Sequence, residues 1–342
     1  MPKERKNKNS PLDLSDVIRK LAPKVGAKVI IEPEWQVATR VVYPGGRVHS
    51  FFFSNDLNPL ASSKIANDKH FSKFFMKKSG YPVAEGQTFF EKNWAQKMKS
   101  TRNIDQALEY GDKLGYPLIA KPNNSTQGEN VFLAYNEKEL KNALVDIFSS
   151  SRVALLERYQ PGRDYRVVVL DGKVMAAYER LPLSVTGDGK TPVVNLIQKK
   201  RKKLISEGRD ISIDPNDRRI KEKLKKEGYS LNSVIPKNTK VYLLNNANLS
   251  AGGDAEDLTV KIHPGFKKIA TELTRKMGLR ICGVDLMITK GDITRAPKYE
   301  NYYILEINAA PGLSNFAAIG KKQKNIVKSM YLEILKALGK KD

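Results

Sequence analysis

Two carboxylates and one amide in the last third of the chain could hold a metal ion. Residues 302–308 are largely aromatic or β-branched and predict a strand, on which Glu306 and Asn308 share a face. A second apolar strand, 281–288, carries Asp285, and a hairpin between the two strands would bring Asp285 beside Glu306. Neighbouring buried carboxylates repel unless a cation joins them, and oxygen ligands suit Mg²⁺, which proteins usually share with nucleotide phosphates. The alternative is that Glu306 and Asn308 only satisfy nearby backbone groups.

Two lysines upstream could neutralise phosphate. Lys69 follows Asp68 on a predicted helix, where the usual alternative is a solvated face. Lys121 ends a predicted strand before Pro122, and the polar loop 123–130 contains a glycine. Backbone N–H groups of such a loop can point at phosphate, although a plain hairpin turn is the alternative. The loop is not a Walker A sequence, because Gly-x-x-x-x-Gly-Lys-Ser/Thr is absent.

A segment after the next predicted strand could meet the rest of a nucleotide. Glu157, Arg158 and Tyr159 end an apolar strand, and Asp164 follows after a Pro-Gly turn. Adenine is commonly bound by backbone groups of a connecting segment, and a nearby carboxylate commonly binds the ribose hydroxyls. A second small-residue loop, 245–253, could also approach phosphates.

Composition limits the class of protein. The chain has 342 residues and a formal net charge of +23, so it has room for two or three subdomains and favours anionic partners such as nucleotide, acidic peptide or nucleic acid. It has no apolar run of 18 residues, and its charged start is not that of a signal peptide. The single cysteine, Cys282, excludes an internal disulfide and fits a reducing cytoplasm; its apolar strand favours a core position.

The order of predicted elements divides the chain. We expect a disordered basic arm over residues 1–11 and a small N-terminal α/β domain over 12–60. One helix is predicted from Ala61 until the Ser79-Gly80 stop. Residues 195–229 form a polar, basic insertion. A solvated insertion is favoured over a nucleic-acid site, because acidic residues interleave and stacking aromatics are scarce; binding of an anionic substrate tail is a third reading.

Taken in order, these pieces resemble the ATP-grasp superfamily. The ordered series consists of Asp68-Lys69, Gly80-Tyr81-Pro82-Val83, Lys121-Pro122, Glu157, Asp164, Asp285 and Glu306-Ile307-Asn308. Over roughly residues 40–320 the chain resembles the ATP-grasp module of cyanophycin synthetase and of bifunctional glutathione synthetases. The stretches that carry this likeness are 187–190, 217–220, 227–229, 246–253 and 306–312.

The resemblance implies a fold and an activity. The fold class is α+β: an ATP-grasp domain over residues 61–342, whose two α+β subdomains clasp ATP, preceded by the N-terminal domain. The lid subdomain would span about 84–158. The activity would be that of an ATP-dependent carboxylate–amine ligase, which phosphorylates a carboxylate and lets an amine displace the phosphate. The products would be an amide, ADP and phosphate, with an amino acid joined to a small peptide or acidic chain.

The resemblance also assigns roles to residues. It places ATP on ten residues, Lys69, Lys121, Ser125, Thr126, Gln127, Gly128, Glu157, Arg158, Tyr159 and Asp164. Two Mg²⁺ ions, with Mn²⁺ as an alternative, would be held by Asp285, Glu306 and Asn308. Catalysis is assigned to Arg166, Arg280 and Asn248.

The chain departs from the family pattern at three points. Leu244 stands where the family usually has arginine, and Arg280 is the predicted substitute. Ala251 replaces a commoner threonine. The second ligase domain of cyanophycin synthetase has no counterpart in this sequence, so we do not expect this chain alone to build a two-residue polymer.

Two other functions remain open on sequence alone. One is an ATP-grasp kinase that releases a phosphorylated product. The other is a nucleic-acid-binding protein with a vestigial nucleotide site, which the intact site residues disfavour. We expect no membrane partner, a cytoplasmic location and no nucleic acid, and a homo-oligomer is left open.

Overall fold

The computed structural model describes residues 12–124, 128 and 130–340, so the predicted arm lies outside the described residues. The N-terminal part is a helix on a three-stranded antiparallel sheet of order β1-β2-β3. Its elements are α1 (Leu14–Leu21), a 3-10 turn (Ala22–Val25), β1 (Lys28–Ile31), β2 (Thr39–Val42) and β3 (Val48–Phe51). Val41 and Phe51 pack in one cluster with Ile281 and Ile334 from the far end of the chain. The N-terminal sheet therefore shares a core with the C-terminal part.

Two helices follow where one was predicted. They are α2 (Leu60–Asn67) and α3 (Lys69–Lys78), so the prediction of one continuous helix is wrong. Asp68 between them is extended, with φ −92° and ψ 110°, and its carboxylate accepts the N–H of Phe71 at 3.0 Å. An aspartate that caps a new helix ends the previous one, because its own backbone leaves the helical region. The break places Lys69 at the first position of α3.

A four-stranded antiparallel sheet with helices on it corresponds to the predicted lid subdomain. Its elements are β4 (Gly86–Phe90), α4 (Lys92–Lys97), α5 (Ile104–Leu114), β5 (Leu118–Pro122), β6 (Phe132–Ala134), α6 (Glu137–Phe148) and β7 (Val153–Arg158). The strand order is β4-β7-β5-β6. Leu140 and Leu144 of α6 pack on Leu118 and Leu156 of the sheet. The i, i+4 spacing of the two helical leucines is what puts them on one face.

The rest of the chain forms the second half of the molecule. Its elements are β8 (Arg163–Leu170), β9 (Lys173–Leu181), β10 (Ser184–Thr186), α7 (Val193–Ser206), α8 (Arg218–Lys226), β11 (Lys240–Tyr242), β12 (Asp254–Asp257), α9 (Pro264–Lys276), β13 (Ile281–Ile288), β14 (Tyr302–Asn308), α10 (Ser314–Ala317) and α11 (Lys321–Gly339). Short 3-10 turns occur at Leu249–Ala251 and Tyr299–Asn301.

Five of these strands form one antiparallel sheet, in the order β12-β9-β8-β13-β14. Val167 and Leu286 project from one face and pack on Phe266 and Leu273 of α9. Because side chains alternate along a strand, the neighbours of these residues project from the opposite face. That opposite face carries the polar side chains described below.

The basic insertion is folded. Strands β10 and β11 pair antiparallel, and α7 and α8 contribute Leu196, Leu204 and Leu224 to a core shared with Leu243. The insertion thus has a buried apolar face, while Lys199, Arg201, Lys202 and Lys203 are exposed, and the choice between a solvated insertion and a nucleic-acid site stays a prediction. The many lysines of α7 and α8 obscured their apolar residues in the sequence, and the structure shows those residues buried. Within the described part of the chain, no helix combines the length and hydrophobicity needed to span a membrane.

Candidate active site

A cleft of about 580 Å³ lies between the lid sheet and the five-stranded sheet. Helix α8 and the loop around residues 244–250 contribute further walls. Eight basic and five acidic side chains of the described residues line it. Such a surplus of positive charge in a concave site favours a polyanion.

A row of charged side chains crosses the five-stranded sheet. The register places Asp285 of β13 opposite Arg166 of β8 on one side and opposite Glu306 of β14 on the other. Directly paired residues share a face of the sheet, so all three side chains point into the cleft. The predicted adjacency of Asp285 and Glu306 is confirmed. A bulge after Asp285 shifts the register, so that Leu286 pairs with Ile304.

The Asp285 carboxylate is buried between two arginines. Arg166 donates from Nε and Nη2 to its two oxygens, both at 2.7 Å, and Arg180 Nη1 lies 3.0 Å from Oδ2. Burial would raise the pKa of Asp285, but Arg166 and Arg180 more than offset it, and the pKa lies below its usual value. Asp285 is therefore ionised at neutral pH.

The three predicted metal ligands lie together. Asn308 Nδ2 is 3.5 Å from Asp285 Oδ2 and 3.4 Å from Glu306 Oε1, and the Glu306 side chain is 32 % exposed to the cleft. These oxygens fit Mg²⁺ in chemical type. However, no three His, Cys, Asp or Glu side chains among the described residues converge to hold an ion on their own. The site thus fits an ion that is held largely by nucleotide phosphates.

Three lysines and one glutamate face this row from the lid side. Glu157 of β7 is buried and forms ion pairs with Lys73 of α3 and, at 2.5 Å, with Lys121 of β5. Lys69 Nζ lies 3.9 Å from Glu306 Oε2. Burial raises the pKa of Glu157, but Lys121 and Lys73 outweigh it and bring the pKa to about 2. Glu157 thus holds two lysines in place as a permanent anion.

The pKa values of these lysines diverge for physical reasons. Burial lowers the pKa of Lys69 and of Lys73. Burial acts the same way on Lys121, but Glu157 and Glu306 outweigh it, and the pKa of Lys121 is raised. Of the three lysines, Lys121 is therefore the one whose surroundings favour the protonated, positively charged form.

Asp164 lines the cleft one row below Arg166. Arg180 donates to its Oδ1 from Nε at 2.8 Å and from Nη2 at 2.6 Å. Burial raises the pKa of Asp164 to about 6, with the nearby Asp285 charge acting in the same direction and Arg180 opposing. Both of these hydrogen bonds from Arg180 go to Oδ1.

The segment predicted to meet adenine also borders the cleft. Arg158 and Tyr159 line it; the Arg158 N–H donates to Glu85 O at 2.9 Å, and its guanidinium lies 3.3 Å from the Glu85 carboxylate. Burial raises the pKa of Tyr159.

One predicted loop residue and one loop asparagine meet at the edge of the cleft. Gly128 O accepts from Arg219 Nη1 at 2.7 Å and from Asn246 Nδ2 at 3.3 Å. The φ of +72° at Gly128 favours glycine, and a Cβ there would lie 2.0 Å from Asn248 Nδ2 and would displace that side chain. Three other residues predicted to bind ATP lie outside the described residues, namely Ser125, Thr126 and Gln127.

The structure does not bring Arg280 to the cleft. Arg280 precedes β13, at the end remote from the charged row, and its guanidinium donates to both oxygens of Asp171 at 2.8 and 2.9 Å. Its assignment to catalysis in place of the arginine missing at Leu244 is therefore a misplacement. Leu244 is buried in the core of the insertion and borders the cleft. The arginines in the cleft near the carboxylates are Arg166 and Arg180.

Sequence reasoning missed three residues that shape the site. Lys73 lies one helical turn after Lys69, a spacing that puts both on one face. Arg180 pairs with Asp164 across the β8–β9 hairpin, which counting back from the turn could have suggested. Arg219 lies in 217–220, one of the stretches that carry the family resemblance, but its contact with Gly128 joins segments far apart in sequence and could not be read from that stretch.

Comparison with known proteins identifies two matching domain families. Residues 75–187 match the D-ala D-ala ligase C-terminus family, and residues 245–331 match the RimK-like ATP-grasp domain family. The cyanophycin synthetase of Nostoc sp. is 34 % identical over 272 residues, which are 75 % of this chain and 28 % of the relative. The bifunctional glutathione biosynthesis protein GshAB of Streptococcus mutans is 31 % identical over 268 residues, covering 76 % of this chain and 33 % of the relative.

The fold has a solved counterpart. The crystal structure of a bifunctional glutathione synthetase from Pasteurella multocida superimposes with a TM-score of 0.56 at 23 % identity, covering 93 % of this chain and 43 % of that one. This similarity establishes the fold. The chain spans about a third or less of the length of the two curated relatives.

Proposed function

Because this chain carries ATP-grasp domains and is homologous to cyanophycin synthetase and to the bifunctional glutathione synthetases, we propose that it is an ATP-dependent carboxylate–amine ligase. It joins an amino acid to a small peptide or acidic chain through an acyl phosphate and releases ADP and phosphate. The observation that carries the proposal is the opposition of two charged surfaces across one cleft. The row of Arg166, Asp285 and Glu306 faces Lys69 and Lys121.

The nucleotide takes the lysine side of the cleft. Lys69 and Lys121 bind phosphate oxygens, the segment Glu157–Tyr159 lines adenine, and Asp164 accepts from the ribose hydroxyls. The position of Asp164 on the wall of the cleft supports the ribose role. Ser125 to Gly128 close over the triphosphate.

Asp285, Glu306 and Asn308 hold two Mg²⁺ ions, or Mn²⁺, together with the phosphates. Such ions neutralise phosphate charge and align the transferred group. The oxygen-only donor set and the exposed Glu306 support this assignment. Asp285 contributes chiefly by fixing Arg166 and Arg180 beside the ions.

The remaining chemistry is positioning and charge neutralisation. Phosphoryl transfer needs little covalent help from the protein, and donors fixed before the reaction stabilise charge that develops in it. Arg166 is held rigidly by two bonds to Asp285, so it can meet a developing acyl phosphate without reorganising. Asn248, beside Gly128, lies on the wall where the acceptor approaches. Closure of the lid protects the acyl phosphate from water.

The test is a screen for amino-acid-dependent ADP formation. The purified chain is incubated with ATP, Mg²⁺, panels of amino acids and acidic peptides, and products are weighed by mass spectrometry. We expect one amine–acceptor pair to stimulate ADP release and to give a product lighter than the two reactants by one water. Glu306→Gln serves as the inactive control. ADP without any amide product would contradict the ligase, and a stable phosphorylated product would indicate a kinase.

A further inference from the structure

The basic insertion contacts the lid subdomain through two separate ion pairs. Arg218 Nη1, at the first position of α8, lies 2.7 Å from Asp146 Oδ2 near the end of α6. Lys226 Nζ, at the last position of α8, lies 3.1 Å from Glu139 Oε2 near the start of α6. The lid residues are seven apart and the insertion residues eight apart, or about 10 and 12 Å along the two helices. The two helices therefore lie side by side and antiparallel.

Two further contacts belong to the same surface. Lys226 Nζ lies 3.7 Å from the ring centroid of Tyr135, in the segment just before α6, a cation–π geometry. Arg219 donates to Gly128 O. Residues Arg219, Glu222, Lys223 and Lys226 also line the cleft, so the helix that holds the lid is itself a wall of the cleft.

Local helix stability does not explain the first pair. Asp146 lies in the last turn of α6, where the helix dipole disfavours an anion, and Arg218 begins α8, where the dipole disfavours a cation. The Arg218–Glu222 pair within α8 also has the less favourable order of charges. Both residues have charges unsuited to their own helix and suited to each other. The arrangement is therefore explained by the contact between the two subdomains.

We propose that α8 is a positioning element for the nucleotide: a clasp that holds the lid subdomain over the cleft through Arg218–Asp146 and Lys226–Glu139. This inference rests on the proposed function, in which the ligand of the cleft is a nucleotide. The clasp keeps Lys121, Arg158 and Tyr159 of the lid at a fixed distance from Arg166 and Glu306 of the five-stranded sheet. Release of ADP then requires the ion pairs to open, which is a step that limits turnover in many enzymes with lids.

The test is a charge-swap cycle on the full chain. The variants are Asp146→Lys, Arg218→Glu and the double variant that exchanges both charges. Glu109→Lys, an equal charge change on α5 of the same subdomain, is the matched control. The readout is the stopped-flow release rate of a fluorescent ADP analogue in the presence of Mg²⁺. Both pair residues are partly exposed, and thermal unfolding verifies that each variant is folded.

We expect each single variant to release ADP about three- to tenfold faster, on the scale of surface ion pairs and their coupling. The exchanged variant should return to within about twofold of the wild type, because an opposite pair is restored, and Glu109→Lys should match the wild type. Raising the salt concentration should speed release from the wild type and the exchanged variant more than from the singles. Unchanged release in the singles, or no recovery in the exchanged variant, would overturn the clasp.

Hydrogen exchange without nucleotide separates this proposal from the proposed function. Amides of α6 should exchange faster in each single variant and recover in the exchanged one. If the ADP analogue does not bind at all, the proposed function fails, and the exchange pattern alone decides the clasp. Equal exchange of the α6 amides in the wild type and in the three variants of the pair would refute the clasp.

Discussion

Besides any contact with metal, Asp285 positions the guanidinium groups of Arg166 and Arg180. Its carboxylate is fully buried and accepts from Arg166 and Arg180, and an uncompensated charge at such a depth would be very unfavourable. The two guanidinium groups are thereby fixed beside Glu306, where phosphate charge is expected. Phosphate would be an additional acceptor for these two guanidinium groups, and Mg²⁺ would compete with them for the Asp285 carboxylate, which couples nucleotide binding to the arrangement of the row.

We predict that Arg166→Ala lowers kcat/KM for ligation by about 100-fold or more, the cost typical of losing one fixed donor to a developing anion. The matched control is Arg280→Ala, which removes an arginine whose carboxylate partner, Asp171, lies on a surface turn. We expect its kcat/KM to stay within about twofold of the wild type and its stability to fall by no more than about 1 kcal/mol. Steady-state kinetics decide: equal losses in both variants would show that the wrong arginine has been placed in the cleft.

Glu157 offers a test by pH. Its folded-state pKa of about 2 lies below the ordinary value of 4.5, so its stabilising effect is complete above pH 4.5 and disappears as pH falls towards 2. Glu157→Gln leaves Lys73 and Lys121 without their anion, and we expect a loss of about 3–5 kcal/mol of unfolding free energy at pH 7.

Urea unfolding of the wild type and Glu157→Gln at pH 7, 5 and 3 measures this effect. The difference in unfolding free energy should be constant between pH 7 and 5 and should shrink at pH 3. Glu109→Gln, at an exposed lid position, should show a small difference at every pH. A Glu157→Gln difference that does not change with pH would mean that the charge of Glu157 is irrelevant to stability.

At the scale of elements, the regular pieces could be predicted and the interruptions could not. The strands Ile281–Ile288 and Tyr302–Asn308 have the predicted bounds, because both are largely apolar runs that end at polar or small residues. The break at Asp68 was missed, since apolar residues recur at helical spacing on both sides of it. The strand at Asp254–Asp257 was also missed, because its acidic residues give no strand pattern and only pairing with β9 creates it.

In the candidate site too, some residues could be predicted from the sequence and others could not. Asp285 and Glu306 could be paired from the hairpin, because both strands were visible in the sequence. The contacts of Arg180, Lys73 and Arg219 depend on how sheets and subdomains pack, which local patterns do not encode. The assignment of Arg280 rested on the arginine missing at Leu244, and only the structure shows that Arg280 precedes β13 and pairs with Asp171.

Substitution of Asp68 tests whether the cap of α3 positions Lys69. Asp68→Ala removes the cap of α3 and the acceptor of Asn123 Nδ2, which lies 2.8 Å from Asp68, and we expect a loss of about 1–2 kcal/mol. Asp68→Asn keeps a capping oxygen and should lose less. Thermal unfolding and ATP affinity are measured together, and the affinity should follow the stability order. An alanine variant as stable as the wild type would refute the capping account.

At the scale of the molecule, two groups of basic side chains suit different parts of the proposed function. The surplus of basic side chains that line the cleft suits the nucleotide of the proposed function. The exposed charges of α7, Lys199, Arg201, Lys202 and Lys203, are not among the side chains that line the cleft. They can attract an acidic acceptor from outside the site, as charged surfaces do in steered association.

We predict that changing these four α7 residues to glutamine raises the KM for an acidic peptide acceptor several-fold at low salt. It should leave the KM for ATP unchanged and should weaken the salt dependence of the acceptor KM. Kinetics at two ionic strengths measure both effects. If instead the variant loses tight, salt-sensitive binding of DNA or RNA and keeps its acceptor KM, the basic helix serves nucleic acid.

The central claim is that the cleft makes an acyl phosphate, and oxygen transfer tests it most directly. The carboxylate acceptor is labelled with ¹⁸O, turnover is run with ATP and the amine, and the released phosphate is examined by mass spectrometry. Our account predicts one ¹⁸O atom in the phosphate for each amide formed, because the carboxylate oxygen attacks the γ-phosphorus and leaves with it. Unlabelled phosphate alongside ADP, or label retained in a stable phosphorylated product, would contradict it.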